Sequence, residues 1–340
     1  MRKICVVVAS RANYGRLLSV FRAVRDHPDL QLQLIVGASA FDLPMEFTPD
    51  AVIQCLVEGD NLQAMTLTTG LFLCQLGGVF ERLKPDIVLA HGDRYEILAV
   101  AITAAYMNIP LAHTEGGDIS GTIDDKVRDA ITALADIHFP VTERSAQRII
   151  QMGTQTAKVF TVGSTALDSL VGIDLTNNRK EPYILILHHP NTTHPEDITP
   201  LIEAVMAVPI HKVWVNPNVD AGSKAMLKII HRQDVEFVKD LSPLEYARLL
   251  KNCECAVGNS SSFIKEAAFM GVGTVLVGNR QKGREMGRNV AEVRMDAEEI
   301  YRAVMWQAQQ KYCPSYQFGE GTAGSQIADI LAREEFISLS

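Results

Sequence analysis

The residues best suited to chemistry in this 340-residue chain are acids: Asp93 in His91-Gly-Asp-Arg94, Glu115 in His113-Thr-Glu-Gly-Gly117, and the pair Asp124-Asp125 after Ile123. Asp86-Ile-Val-Leu-Ala90 and Ile109-Pro-Leu-Ala112 read as buried parallel strands. Asp93 and Glu115 therefore fall just past carboxyl ends, where open α/β sheets gather ligand-binding groups. Three or four carboxylates would share one crevice. Acids crowded in this way have their pKa values pushed apart, so that one keeps a proton while another accepts one, the equipment of general acid–base catalysis.

Two further segments suit phosphate. Ser10-Arg-Ala-Asn-Tyr-Gly-Arg16 follows the first apolar run, and a strand-to-helix turn with a Gly and two Arg can hold an anion through backbone N–H groups, the helix dipole and guanidinium contacts. A solvated Arg turn fits the same heptapeptide equally well. Gly258-Asn-Ser-Ser-Ser262 lies between a strand and a helix, with Glu266 one to two turns further on. Capping explains one Ser. Three in a row favour a diphosphate at the helix N-terminus, with the carboxylate placed for ribose hydroxyls. His188-His189-Pro190 closes another strand; adjacent His residues point to opposite sides of an extended chain, so one can reach a site but the two do not chelate a metal together.

The elements that must position these residues follow from periodicity. Apolar runs of four to seven residues alternate with segments of helical period, the pattern of βα units on parallel sheets. Strands are expected at 3–9, 32–37, 86–91, 109–113, 137–140 and 158–161, and helices at 15–26, 61–83, 94–106, 124–135 and 143–151. The polar stretch 174–182 reads as a linker. A second series follows, with strands at 183–188, 212–215, 235–237, 254–257 and 273–277, and helices at 196–206, 222–231, 242–251 and 260–270. Two Rossmann-like halves facing one another would put the binding site in a central cleft between them.

Composition bounds the function. At 47% hydrophobic and 21% charged residues the chain is long enough for two cored domains. A net charge of −8, two Trp and no basic run argue against a nucleic-acid groove. Met1-Arg-Lys3 leads into Ile4–Ala9, an apolar run too short for a signal-peptide core or a membrane span, so a cytoplasmic protein with no membrane partner is expected. The six Cys lie mostly in apolar runs, and Cys253-Glu-Cys255 lacks zinc-ligand spacing. No Gly-x-Gly-x-x-Gly follows the first strand and no Gly-Lys-Ser/Thr loop occurs, which speaks against nicotinamide and P-loop chemistry.

Taken in order, Ser10-Arg-Ala-Asn-Tyr-Gly15, His91-Gly-Asp-Arg94, His113-Thr-Glu-Gly-Gly117, Gly121-Thr-Ile-Asp-Asp125 with Arg128, Asn218-Val-Asp-Ala-Gly-Ser-Lys224, Gly258-Asn-Ser-Ser261 and Gly283-Arg-Glu-x-Gly287-x-Asn289-Val290 resemble the hydrolysing UDP-N-acetylglucosamine 2-epimerases of sialic and legionaminic acid biosynthesis. The resemblance covers roughly residues 8 to 293. It implies a GT-B architecture: an N-terminal domain over 1–173, joined again by a C-terminal helix at about 319–340, and a nucleotide-binding domain over 174–318, in a homodimer or homotetramer. It also implies a reaction without metal or cofactor, in which a UDP-sugar loses its C2 proton and UDP to give a 2-acetamidoglucal. Water then adds, releasing N-acetylmannosamine. By position, Asp93, Glu115, Asp124 and His189 match the catalytic residues. Arg11, Asn218, Ser260, Ser261 and Glu266 match nucleotide contacts, and Arg94, Asp125 and Arg128 match supporting positions. Asp124 and Arg128 are four apart, hence on one helix face, where the guanidinium would hold a carboxylate ionised.

Two departures stand out. The family usually carries His after the Arg of the helix that follows the Asp-Asp pair, where this chain has Asp129, and a polar, often His-containing loop where it has Gly37-Ala-Ser-Ala-Phe-Asp42. That loop lies near the sugar in the family, so a UDP- or GDP-linked 2,4-diacetamido-trideoxy sugar is an alternative substrate. A GT-B glycosyltransferase would use the same diphosphate clamp without needing acids around C2, and a catalytically dead nucleotide-sugar sensor would need none of the acids.

Overall fold

The computed structural model describes residues 1–40, 45–59, 61–177, 179–190, 196–217, 222–239 and 241–333, with Arg11 and Ala12 described for their backbone only. The chain divides into two units, Met1–Asp118 with Ile123–Val171 and the segment from Gly319, and Gly172–Phe318 with the short stretch Ile119–Thr122. The first unit runs β1 (Arg2–Val8), α1 (Arg11–Asp26), β2 (Leu30–Gly37), β3 (Ala51–Ile53), α2 (Leu62–Leu83), β4 (Ile87–His91), α3 (Tyr95–Tyr106), β5 (Leu111–Thr114), α4 (Ile123–Leu134), β6 (Ile137–Phe139), α5 (Glu143–Gln151) and α6 (Thr165–Asp168). Its strands form one sheet in the order β3-β2-β1-β4-β5-β6, and every neighbouring pair is parallel.

Strand β1 shows why the sheet is covered on both sides. Ile4, Val6 and Val8 pack into a core built with Leu17, Val20 and Phe21 of α1, whereas Cys5, Val7 and Ala9 pack with Phe72 and Phe80 of α2 and Ile97 and Val100 of α3. A continuous apolar run with alternate residues on opposite faces is what a parallel strand between two helical layers requires. Helix α2 is the one described helix long and apolar enough, by length and composition, to cross a membrane, with mean hydropathy 1.2. It lays Ala64, Thr68, Phe72, Leu76 and Phe80, one per turn, toward the core, and leaves Leu62, Leu67 and Leu71 exposed.

The second unit runs β7 (Tyr183–Leu187), α7 (Thr199–Ala207), β8 (His211–Val215), α8 (Ser223–Ile230), β9 (Glu236–Val238), α9 (Pro243–Asn252), β10 (Cys255–Gly258), α10 (Lys265–Met270), β11 (Thr274–Val277), β12 (Val290–Val293) and α11 (Ala297–Gln307). Its parallel sheet has the order β12-β11-β10-β7-β8-β9, with Ile184, Ile186, Trp214 and Val257 packed against α7 and α11. Helix α12 (Ala323–Leu331) returns to the first unit and packs on α1. Asp168 caps it, accepting from the backbone N–H of Ala323 at 3.0 Å and of Gly324 at 2.6 Å. The protein is thus α/β and GT-B-like in its parts, two Rossmann-like units each built on a six-stranded parallel sheet.

Three local expectations are corrected. The stretch 158–161 is not a strand; Val159 makes only an isolated bridge to His138. Helix α1 begins at Arg11, four residues before the position expected from periodicity, because Ser10 is already its N-cap. The helix expected over 260–270 is broken into a 3₁₀ turn, Ser261–Phe263, and α10.

Candidate active site

In each sheet the strand order reverses at one place, between β1 and β4 in the first unit and between β7 and β10 in the second. Helices leave on opposite faces there, so the loops at the carboxyl ends part and leave a crevice. The candidate residues concentrate at these points: Ser10 and Arg11 follow β1, Asp93 and Arg94 follow β4, His188 and His189 follow β7, and Asn259 to Ser261 follow β10.

In the first unit the organising group is Arg128. It is buried in α4 with only 1% of its side chain exposed, and its guanidinium pairs with Asp93, with Asp125 at 2.7 Å and with the carbonyl oxygen of Asp118 at 2.8 Å. Burial works against its charge, yet Asp93, Asp118 and Asp125 together hold its pKa above the ordinary arginine value. Asp124, the residue expected at its side, shares the first turn of α4 and is half-buried. The carboxylates are therefore gathered around a fixed cation rather than left to repel one another.

Glu115 sits at the end of β5 with φ of 62°, in the left-handed region that L-residues avoid. Its N–H donates to the Phe139 carbonyl at 3.0 Å, and its carboxylate accepts from the Ser164 hydroxyl at 2.7 Å. A non-glycine residue is held in such a conformation only when its surroundings over-determine it, and outliers of this kind cluster at functional sites. Arg94 turns to Glu96, whose side chain is fully buried, through two contacts of 3.2 Å. The departure at position 129 is also resolved: Asp129 pairs with Arg148 of α5 through two contacts of 2.6 Å.

In the second unit the amide of Asn259 locks the backbone of the His-Pro turn. Its Oδ1 accepts from the His189 N–H at 2.7 Å, and its Nδ2 donates to the His189 carbonyl at 2.8 Å and lies 3.2 Å from His188 Nε2. Gly258 is required just before it: at φ of 142°, a Cβ would lie 2.0 Å from the Leu187 carbonyl oxygen. Ser260 is buried and caps the 3₁₀ turn, its hydroxyl 2.8 Å from that of Ser262, which in turn meets the Tyr246 hydroxyl. Ser261 and Glu266 are half-buried, the latter in the first turn of α10. Asn218 and Asp42 lie outside the described residues.

The arrangement thus brings Asp93, Asp125 and Arg128 into direct contact, and places Glu115 on the neighbouring strand end. Asn259, Ser164 and Asp118 were not singled out from sequence. Asn259 had a signal, because it stands inside the Gly-Asn-Ser-Ser motif; Ser164, 49 residues from its partner Glu115, had none.

Comparison with known proteins bears on the chain as a whole. The family model described as UDP-N-acetylglucosamine 2-epimerase matches residues 22–332. A Legionella pneumophila protein named UDP-N,N'-diacetylbacillosamine 2-epimerase (hydrolyzing) is 31% identical over 97% of this chain and 96% of its own length. A Neisseria meningitidis UDP-N-acetylglucosamine 2-epimerase is 29% identical over 89% of this chain and 87% of its own. Among solved structures, S. aureus MnaA, crystallised with UDP, shares the fold with a TM-score of 0.85 at 18% identity, covering 100% of this chain and 98% of that one.

Proposed function

The chain belongs to the UDP-N-acetylglucosamine 2-epimerase family, whose members are nucleotide-sugar 2-epimerases, and from that premise we propose that it is a hydrolysing enzyme that converts UDP-N-acetylglucosamine to N-acetylmannosamine and UDP. The observation that carries this reading is the set of acids held around Arg128 at the carboxyl edge of the first sheet, with Glu115 held in a left-handed backbone at the end of the neighbouring strand.

In the proposed reaction a carboxylate among Asp93, Glu115 and Asp124 removes the C2 proton. The C1–O bond breaks with its electron pair leaving on UDP, and the C1–C2 double bond of the glucal forms. Water then adds its oxygen to C1, and an acid returns a proton to C2 from the opposite face. By their positions in the motifs, Arg11, Ser260 and Ser261 are assigned to the diphosphate, Glu266 to the ribose and His189 to the reacting sugar. Asn218 is assigned to nucleotide binding by its position in the motif. Arg94 and Asp125 orient their neighbours, and Arg128 holds Asp93 and Asp125 in place. The chemistry as written uses no metal and no cofactor. The exposed leucines of α2 support a homo-oligomer, dimer or tetramer, that covers them.

The same reaction on a UDP- or GDP-linked 2,4-diacetamido-trideoxyhexose is a second reading. It is favoured by the 31% identity to the Legionella pneumophila protein and by the absence of His from the 37–42 loop.

The test is incubation in D₂O with a panel of UDP- and GDP-linked 2-acetamido sugars, following free nucleoside diphosphate and deuterium at C2 of the released sugar. Release of nucleoside diphosphate with a deuterated, inverted C2 is expected. Epimerised sugar still linked to the nucleotide would remove the hydrolytic step, and release without deuterium would remove the elimination.

A further inference from the structure

His113 takes no part in the reaction as proposed, yet it touches both acid-bearing segments of the first unit. It is fully buried on β5. Its Nε2 lies 2.8 Å from the carbonyl oxygen of Gly92, which can only accept, so Nε2 carries the proton. Nδ1 is then the acceptor for the hydroxyl of Thr132, 3.1 Å away. Gly92 immediately precedes Asp93 in the β4–α3 turn. Thr132 lies one helical turn after Arg128 on α4, the helix that also carries Asp124 and Asp125. Space is reserved for the contact: a Cβ on Gly116 would come within 2.9 Å of both His113 Nδ1 and Thr132 Oγ1.

We infer that His113 is a positioning residue, a neutral imidazole of fixed tautomer that sets the β4–α3 turn with Asp93 against α4 with Asp124, Asp125 and Arg128. The Arg128 pairs tie the two segments together at Asp93, and the imidazole ties them together at Gly92 and Thr132. The other tautomer would set the Nε2 lone pair against the Gly92 carbonyl oxygen, and a ring flip would set a ring carbon there, either of which loosens the turn without removing any acid. Burial keeps the ring neutral by pushing its pKa down to about 3. The charged or titratable groups around it, His138 on β6, Arg128 on α4 and His91 on β4, act in the same direction.

This inference rests on the reading of the acids as the catalytic set, and its test has an arm that does not need turnover. Thr132→Val removes the hydroxyl while keeping the side-chain shape, and Thr132→Ser restores it. In the wild type, ¹⁵N-edited spectra of the histidine rings are expected to show His113 protonated at Nε2 alone from pH 8 to pH 5. In Thr132→Val the Asp93 amide should exchange with solvent faster, and kcat should fall roughly 10- to 100-fold, the scale of an ångström-level misplacement. KM and UDP affinity should be unchanged, and Thr132→Ser should lie within about twofold of wild type by the same misplacement argument. A His113 protonated at Nδ1, or an Asp93 amide unaffected by Thr132→Val, overturns the inference. So does a kcat loss that merely follows the folded fraction. A wild type inactive on every nucleotide sugar would overturn the functional reading instead, leaving tautomer and exchange to decide this one.

Discussion

Asp129 of α4 and Arg148 of α5 meet through two parallel contacts of 2.6 Å, with a quarter to a third of each side chain open to solvent. The hydrogen bond to Asp129 holds the Arg148 guanidinium above its ordinary pKa. The chain thus has a helix-to-helix clamp here, in which Asp129 ties α4 to α5.

Asp129→Asn should therefore lower stability by about 1 kcal/mol, the upper end for a partly exposed ion pair, and leave kcat within about twofold, because the residue lies outside the proton-transfer steps. A double-mutant cycle with Arg148→Gln, read by urea unfolding, should give a coupling of similar size. A large fall in kcat at unchanged stability would instead place Asp129 in the chemistry.

The proposed catalytic acids should separate from one another in stability. Asp93→Asn, Glu115→Gln and Asp124→Asn are each expected to cut turnover by roughly 10²- to 10⁴-fold. Simple repulsion among carboxylates predicts that neutralising any of them stabilises the fold. The Arg128 pairing reverses this for Asp93, since its loss leaves a buried guanidinium with one partner fewer, at about 1–3 kcal/mol. Thermal midpoints of the three variants check the order, with Asp93→Asn lowest. An Asp93→Asn protein that turns over normally per folded molecule would remove Asp93 from the mechanism.

Much of this site was legible in the sequence because it depends on strand ends. A continuous apolar run that stops at an acid, as in Ile87–His91 before Asp93, locates the carboxyl edge of a parallel sheet without any knowledge of the fold. What escaped depends on contacts between segments. Glu115 carries no local sign of its left-handed backbone, which β6 and Ser164 impose from outside. The guanidinium of Arg128 also reaches Asp125, three residues back, and Asp93 on another segment, and helical spacing carries no signal for the second of these. The edge strands β3 and β12 are three and four residues long and half-covered, too short for a periodic signal.

Stability should fall in mild acid. His113, His138 and His188 are buried, and desolvation pushes their pKa values down to about 3, 4 and 3 from an ordinary 6.5. Below pH 6.5 the unfolded chain takes up protons that the native rings refuse. Their contribution is therefore complete above pH 6.5 and is lost as pH drops toward 3 to 4. At pH 5 the gap of about 1.5 units corresponds to roughly 2 kcal/mol per histidine. Urea midpoints measured from pH 7.5 to pH 5 should decline steadily. A flat profile over that range would mean that these rings are protonated as easily in the native state as in the unfolded chain.

Nucleotide affinity offers the remaining test, because it separates holding the diphosphate from capping a helix. If Arg11 and Ser260 bind the diphosphate, Arg11→Ala should weaken UDP binding by about 1.5–3 kcal/mol, the value of a hydrogen bond to a charged group, and Ser260→Ala by about 0.5–1.5 kcal/mol. Tyr246→Phe should have a smaller effect of the same sign, since Tyr246 reaches Ser260 through the Ser262 hydroxyl. Glu266→Gln should weaken UDP but not inorganic diphosphate, because its assigned partner is the ribose. Calorimetry with the two ligands distinguishes the cases. Unchanged UDP affinity in both Arg11→Ala and Ser260→Ala, with lower melting temperatures, would mean that the two side chains only terminate helices, and that the anion site lies elsewhere along the strand ends.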